Sequence, residues 1–263
     1  MHLWTQRLNK RPKSTQVSRL LFGLTALITA LTLTVGALGE YTFPPASQVD
    51  YPNYPAPFVP ILEEAVPVTY FHDAILVGDS LAEGFRLSGA LKDLKVLSKI
   101  GQSAAGILNN RGYKLDGKSV DLVTYLHSIN PGKIYLWVGS NGIDKYKVSH
   151  VIKSYEGMID LLVTEFPDTL IYCMSVAPVI ESRVRKKLPS FTNNKVRKFN
   201  QEIVRVAGER NCYYLPVYDV LEDGKGGLSR DSAAGDGIHL KKEGYDLVAN
   251  YLLHHALPWE GGD

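Results

Sequence analysis

The chain has 263 residues, of which 45% are hydrophobic and 21% are charged. This composition is typical of a globular protein with room for one sizeable core. The formal net charge of +2 is unevenly distributed: residues 1–39 carry five basic side chains and no acid, whereas the remainder has 24 basic and 27 acidic residues. A mildly acidic body lacks the concentrated basic face that nucleic-acid binding requires, so we expect no nucleic-acid partner.

The N-terminal segment has the pattern of a membrane anchor. A basic tail over residues 1–19 precedes 19 residues, from Leu20 to Leu38, without a charged side chain. As a helix this run is about 28 Å long, close to the thickness of a bilayer's hydrocarbon core. We predict a single-pass signal-anchor over 20–39, with the basic tail in the cytoplasm and the rest of the chain outside. The small residues before position 40 leave an alternative, a cleaved signal peptide and a secreted protein.

Residues 40–68 contain seven of the 14 prolines in the chain. Proline-rich sequence favours an extended backbone, so we interpret this segment as a stalk between the membrane and a domain over 69–263. The alternative is a belt that lies along the domain surface. Cys173 and Cys212 lack the spacing and the histidine partners of a metal site, and they are either one disulfide or two buried thiols. No metal or organic cofactor is indicated.

From residue 73 onward, short apolar runs alternate with helix-like stretches. Such alternation predicts an α/β domain with a parallel sheet and helices on both faces. The five predicted strands cover 74–77, 96–100, 133–138, 170–176 and 212–217. The predicted helices cover 81–92, 118–129, 148–165, 193–209 and about 241–256.

Polar and glycine residues follow the strands. Gly-Asp-Ser-Leu at 78–81 follows the first strand, Gly101 the second and Asn141 the third, while Asp236 and His239 precede the last helix. In parallel sheets, ligands bind at the carboxyl ends of the strands. We therefore expect these residues to meet at one edge of the sheet.

These residue types suit nucleophilic catalysis on an ester. A serine hydroxyl such as that of Ser80 needs a base to take its proton, and His239 can act as that base when Asp236 fixes its tautomer. The tetrahedral intermediate needs hydrogen-bond donors. The backbone N–H groups of Ser80 and Gly101 and the side-chain amide of Asn141 are the candidates.

The chain resembles a known family at these positions. The block at 78–81 is similar to the block that gives GDSL hydrolases their name. Ser80, Gly101, Asn141 and His239 resemble, in order, the four signature residues of the SGNH hydrolase superfamily. The Asp-x-x-His spacing at 236–239 also matches that family's pattern.

The resemblance covers about residues 72–256. It implies a flavodoxin-like, three-layer α/β/α fold with a five-stranded parallel sheet, a catalytic triad of Ser80, His239 and Asp236, and a three-donor oxyanion hole. The sequence departs from the pattern at one place, because the third block is usually Gly-x-Asn-Asp and Gly142 stands at its last position.

We therefore expect a serine esterase that hydrolyses a short, acetyl-type carboxylic ester of cell-envelope carbohydrate through an acyl-serine intermediate. The alternatives are an O-acyltransferase that modifies a glycan, a lysophospholipase or lipase, and a non-catalytic glycan-binding module. The sequence does not indicate the oligomeric state. A basic cluster in the connection that follows the fourth strand is interpreted as a solvated loop, with a substrate-facing loop as the alternative; it comprises Arg183, Arg185, Lys186 and Lys187.

Overall fold

The structure is a computed structural model, which describes residues 58–257. The predicted basic tail, the predicted transmembrane helix over 20–39 and the predicted stalk up to residue 57 lie outside the described residues and stay predictions. Among the helices that are described, none has the length and apolar character needed to cross a membrane.

Five strands form one parallel sheet in the order β2-β1-β5-β6-β7. Counted within this sheet alone, the order is 2-1-3-4-5, which is the flavodoxin-like arrangement. The predicted α/β fold class and the five predicted strands are confirmed. The strands are β1 (Ala74–Gly78), β2 (Lys95–Ser98), β5 (Lys133–Trp137), β6 (Leu170–Met174) and β7 (Tyr213–Leu215), and a separate hairpin contains β3 (Tyr113–Leu115) and β4 (Lys118–Val120).

Helices cover both faces of the sheet. Alternate residues of a strand point to opposite faces, and β1 shows this directly. Ile75 and Val77 belong to the core layer that holds the buried faces of the helices over 148–165 and 193–209, whereas Leu76 belongs to the layer that holds those of the helices over 80–88 and 242–254. The helices are α1 (Ser80–Ser88), α2 (Ala104–Leu108), α3 (Leu122–Ile129), α4 (Val148–Glu165), α5 (Glu181–Val184), α6 (Asn193–Glu209), α7 (Val217–Leu221) and α8 (Lys242–His254), and Val68–Phe71 form one 3-10 turn.

Two predicted helix boundaries were wrong. The helix predicted over 118–129 begins only at Leu122, because the preceding residues form the β3–β4 hairpin. Asp116 and Gly117 both have positive φ values, of 49° and 77°, which is the backbone conformation that a tight two-residue hairpin requires. The helix predicted over 81–92 ends at Ser88, because Gly89 adopts a left-handed conformation with φ of 68°.

The described end of the proline-rich segment lies against the domain. Phe58 forms a parallel bridge with Tyr214, and their rings meet edge to face with 5.7 Å between centroids. Further along, the backbone N–H groups of Leu62 and Val66 donate to carbonyl oxygens at the end of α8, each at 2.8 Å. Residues 58–66 therefore follow the domain surface, as the belt alternative expects. Residues 40–57 of the stalk predicted over 40–68 lie outside the described residues.

The two cysteines are buried thiols and are not joined in a disulfide. They lie on or beside neighbouring strands, but they are not opposite each other in the register. Cys173 of β6 is opposite Tyr214 of β7, and Cys212 comes two residues before Tyr214 in the chain. Because the two residues are not opposite each other, a bond between them would require the strands to shift.

A buried histidine directly follows the last helix, and its titration should affect stability. His255 is 4% exposed, its ring stacks on Tyr251, and its Nδ1–H donates to the Tyr251 carbonyl oxygen at 2.8 Å. Burial lowers the pKa of His255 to about 4. The folded protein therefore favours the neutral ring, whereas the unfolded chain takes up a proton nearer pH 6.5.

We expect His255 to make folding less favourable as the pH falls from about 6.5 to about 4. The contribution lost over that range is about 3 kcal/mol, because the unfolded state is protonated first. The measurement is the free energy of urea unfolding at pH 7, 5 and 4 for the wild type and for His255→Phe. Between pH 7 and pH 4, the free energy of unfolding of the wild type should fall by this amount relative to that of the variant. Parallel curves would show that His255 does not titrate in this way.

Candidate active site

Ser80 is placed by a close approach between strand β1 and its neighbours. A Cβ atom added at Gly78 would lie 2.5 Å from the Cβ of Ala82 and 2.6 Å from the carbonyl oxygen of Trp137. Only glycine at this position allows strand β1, strand β5 and helix α1 to approach one another this closely. Ser80 is the first residue of α1, where a helix leaves its backbone N–H groups without partners inside the helix.

Ser80, His239 and Asp236 form one chain of hydrogen bonds. His239 Nδ1 is 2.6 Å from Asp236 Oδ2, and His239 Nε2 is 2.9 Å from Ser80 Oγ. A carboxylate only accepts, so Nδ1 carries the hydrogen and donates it to Asp236. Nε2 then has a free electron pair and accepts the hydroxyl hydrogen of Ser80. The structure thus brings together the three residues that the sequence proposed as a triad.

Asp236 is held in its charged form. Burial raises the pKa of Asp236, but hydrogen bonds from the His239 ring and from the backbone N–H groups of Ile238 and His239 outweigh that effect, so the pKa lies below its ordinary value. The two backbone bonds to Asp236 Oδ1 measure 2.9 and 3.0 Å. A carboxylate fixed in this way can orient the His239 ring and stabilise its protonated form.

The loop that carries Asp236 and His239 is braced by the connection after strand β6. The Ile180 N–H donates to the Gly237 carbonyl oxygen at 2.8 Å, and Arg183 Nη1 donates to the Ala234 carbonyl oxygen at 3.0 Å. Arg183 belongs to the basic cluster that the sequence analysis interpreted as solvated. Arg183 is indeed exposed to solvent, and it also supports this loop through a contact between residues 51 positions apart, for which the sequence contains no signal.

The three proposed oxyanion donors also come together at this edge of the sheet. Gly101 has a φ of 72°, and a Cβ atom added there would meet no atom within 4 Å, since the residue borders open space. The Asn141 side-chain nitrogen donates to Asp79 Oδ2 at 3.2 Å and to the carbonyl oxygen of Gln102 at 3.3 Å. Asn141 is therefore held beside both other donors, Ser80 and Gly101.

Asp79, to which the sequence analysis gave no catalytic role, connects the ends of two strands. Its Oδ1 accepts the Leu81 N–H at 3.0 Å, and its Oδ2 accepts the Ser140 hydroxyl at 2.6 Å as well as the Asn141 amide. The residue is 1% exposed. Burial raises the pKa of Asp79, although bonds from Ser140, the Leu81 N–H and Asn141 act in the opposite direction. This buried carboxyl fixes the loop that presents Asn141.

A cleft of about 380 Å³ opens over Ser80 and His239. Most of the residues that line it are polar or glycine, and the apolar ones include Leu188 and Phe191, which follow the basic cluster. That connection therefore faces the cleft through apolar rather than basic side chains. The other lining residues are Gly101, Gln102, Ser103, Ser140, Asn141, Gly142, Asp144, Lys145, Tyr146 and Ile238. The described residues contain no group of three or more histidine, cysteine or acidic side chains arranged for a metal ion.

A family model described as the GDSL-like lipase/acylhydrolase family matches residues 76–247. The chain belongs to this family. It is a serine ester hydrolase, as the sequence predicted, and the resemblance to the SGNH and GDSL hydrolases is confirmed. The matched range includes every residue of the site described above.

Solved structures share the fold of this family member. A GDSL-like lipase from Bacteroides thetaiotaomicron is 18% identical, with a TM-score of 0.57, and the match covers 72% of this chain and 89% of that one. A protein from Streptococcus pneumonia described as a platelet activating factor is 24% identical, with a TM-score of 0.56 and coverage of 68% and 81%. A protein from Desulfitobacterium hafniense described as a lipolytic protein of the G-D-S-L family is 15% identical, with a TM-score of 0.53 and coverage of 70% and 98%. No curated protein matches the chain.

Replacing Asp79 should affect turnover through Asn141. In Asp79→Asn, the new amide can present its oxygen to the Leu81 N–H or to Asn141, but not to both. In either orientation one donor faces another donor, so the bond that holds Asn141 is lost or the start of helix α1, on which the Asp79 side chain rests, is disturbed. We expect kcat to fall about tenfold or more on a soluble ester, with KM changed less than about threefold, because an oxyanion donor acts in the transition state.

The matched control is Ser140→Ala, which removes one donor to Asp79 Oδ2 and leaves the Asn141 contact in place. Its loss of kcat should be smaller. The measurement is steady-state kinetics, with thermal unfolding to show that both variants are folded at the assay temperature. A rise in KM at unchanged kcat in Asp79→Asn would contradict a role in positioning Asn141.

Proposed function

We propose that this enzyme hydrolyses its ester through an acyl-serine intermediate on Ser80. The observation that carries the proposal is the Asp236–His239–Ser80 hydrogen-bonded chain, which ends in an open cleft. His239 Nε2 removes the hydroxyl proton as Ser80 Oγ attacks the carbonyl carbon. The tetrahedral intermediate collapses, the alcohol leaves with the proton from His239, and the acyl group stays on Ser80. Water then repeats the sequence and releases the acid.

The oxyanion of the intermediate would be bound by the backbone N–H groups of Ser80 and Gly101 and by the amide of Asn141. In the structure, Asn141 makes its longer bond, of 3.3 Å, to the Gln102 carbonyl oxygen. We propose that the oxyanion takes the place of that carbonyl, while the bond to Asp79 persists. The site then gains a strong charge-assisted bond only when negative charge develops.

The cleft supports a short acyl group and a polar alcohol. A long acyl chain would need a continuous apolar groove, whereas most of the residues that line this cleft are polar or glycine. We therefore propose an acetyl-type ester of cell-envelope carbohydrate, in preference to a lysophospholipid. The same acyl-serine can pass its acyl group to a sugar hydroxyl, and an O-acyltransferase remains the second candidate.

We also propose that the helix predicted over 20–39 anchors the enzyme in the cell membrane with its catalytic domain outside. The support is the uncharged run and the basic flank on its N-terminal side. An external domain would meet the carbohydrate of the envelope.

The nucleophile is tested by Ser80→Ala. We expect activity on short acyl esters to fall by several orders of magnitude, since no other group attacks the carbonyl, while the protein still folds. A fluorophosphonate should label the wild type at Ser80 and leave the variant unlabelled. Ser88→Ala, at the far end of the same helix, is the control that keeps both activity and labelling. An active Ser80→Ala protein would overturn the mechanism.

The topology is tested by adding protease to intact cells. A cut within residues 40–57 should release an active fragment into the medium, because the predicted anchor stays in the membrane. Immunoblotting of the medium and of the washed cells measures the release. A domain that stays protected until the cells are lysed would show the opposite orientation, and activity in the medium before protease is added would indicate a cleaved signal.

A further inference from the structure

Tyr146 is an exposed aromatic side chain at the catalytic cleft. Across residues 58–257, the large apolar side chains that are clearly exposed are Ile61, Val68, Leu87, Ile100 and Tyr146. Of these, Tyr146 is the one that lines the cleft over Ser80 and His239. It is 53% exposed. An aromatic ring left in water at the edge of a binding site is a candidate contact for substrate.

The backbone that carries this ring is firmly held. The Tyr146 N–H donates to the Gly142 carbonyl oxygen at 2.9 Å. From helix α6, Lys195 Nζ donates to the carbonyl oxygens of Ile143 and Tyr146, at 2.9 and 3.5 Å. Three hydrogen bonds therefore fix the short turn between the oxyanion residue Asn141 and the ring.

The ring itself also has fixed neighbours. It lies against the His150 ring, with 5.0 Å between centroids and 38° between planes. On another side it approaches Gly142, where an added Cβ atom would be 3.6 Å from Tyr146 Cδ2. Gly142 has a φ of 107°, a backbone conformation that residues other than glycine rarely adopt. The departure from the family's third block thus belongs to the turn that presents Tyr146.

From this geometry we infer that Tyr146 is a specificity-determining residue, which stacks on the pyranose ring of the alcohol portion of the substrate. The inference rests on the proposed hydrolysis of an acyl ester at Ser80 and names the class of alcohol. A pyranose has a flat face of C–H groups and a rim of hydroxyl groups. The C–H face packs against an aromatic ring, and the hydroxyl groups require polar partners.

The surrounding walls supply those partners. Asp144 and Lys145 precede Tyr146 on the same turn and line the cleft, and Gln102 and Ser103 line it as well. Charged and amide groups of this kind bind sugar hydroxyls by hydrogen bonding. Because the turn is already held, binding orders few additional groups, and the ring contact is gained at a small entropic cost. An aliphatic alcohol would bury the ring but leave these polar groups without partners.

The test compares two acetate esters that differ only in the alcohol. One is a mono-O-acetylated methyl glucopyranoside and the other is ethyl acetate, whose alcohol has no ring. Acetate release by the full chain gives kcat/KM for the wild type, Tyr146→Ala, Tyr146→Phe and Leu87→Ala. The Leu87 variant removes a similarly exposed apolar side chain that does not line the cleft.

We expect Tyr146→Ala to lower kcat/KM for the sugar acetate about tenfold more than for ethyl acetate. This additional decrease should come from a higher KM for the sugar acetate. Tyr146→Phe keeps the ring and should retain the preference of the wild type, and Leu87→Ala should not alter it. Equal losses on both esters in Tyr146→Ala would overturn the inference. So would a loss in Tyr146→Phe as large as in Tyr146→Ala, which would place the effect in the hydroxyl group.

Failure of this inference is distinguishable from failure of the proposed function. If ethyl acetate is hydrolysed in a Ser80-dependent manner and the sugar acetate is not, the esterase mechanism stands and the sugar platform is rejected. If neither acetate is hydrolysed by a route that Ser80→Ala abolishes, the proposed hydrolysis of short acyl esters is rejected, and the inference with it.

Discussion

The close approach at Gly78 is the constraint on which the site depends. Strand β1 lies between β2 and β5 in the sheet, so its carboxyl end is the point where the chain's connections diverge to the two faces. Because Gly78 has no side chain, the end of β1 lies close to the Trp137 carbonyl oxygen at the end of β5 and to Ala82 in the first turn of helix α1. Ser80 therefore stands at the carboxyl end of β1, with the loop after β2 on one side and the loop after β5 on the other.

This arrangement explains why the proposed oxyanion donors come from distant parts of the sequence. Gly101 follows β2, and Asn141 follows β5, the two strands that flank β1. A three-stranded group in the order β2-β1-β5 thus supplies a nucleophile and a donor on each side of it. Asp79 then joins the central strand to one neighbour, since its carboxyl binds the first turn of α1 and the loop after β5 at the same time.

The sequence predicted those parts of the molecule that depend on local patterns. Each main strand is a short apolar run that ends at a turn, and burial on both faces makes such runs continuous. The hairpin at 113–120 was missed because its strands are only three residues long, although the Asp116-Gly117 pair between them is a hairpin signal. The helix that follows starts later than predicted because Asp121, and not the apolar spacing, sets its first turn by accepting the Thr124 N–H.

The site residues were predictable because each stands beside a strand end or just before a helix, where sheet topology brings them together. Asp79 was not among the predicted site residues, since its partners Ser140 and Asn141 lie 61 and 62 positions away. The same holds for Arg183, whose contact with the triad loop joins two segments that share no sequence pattern. Support of this kind depends on which loops become neighbours in space, and spacing along the chain does not encode it.

Two carboxyl groups lie near Ser80, and their surroundings separate their roles. Asp79 is buried, and the cost of desolvation raises its pKa. Asp236 has a side chain that is 49% exposed, and hydrogen bonds from His239 and two backbone N–H groups lower its pKa. In the proposed mechanism, the protonated imidazole of His239 therefore faces the carboxyl group that stays charged most easily. Opposite pKa shifts in neighbouring acids commonly mark a division of labour in active sites. Here the division is between a charge that stabilises His239 and a buried group that holds Asn141 in place.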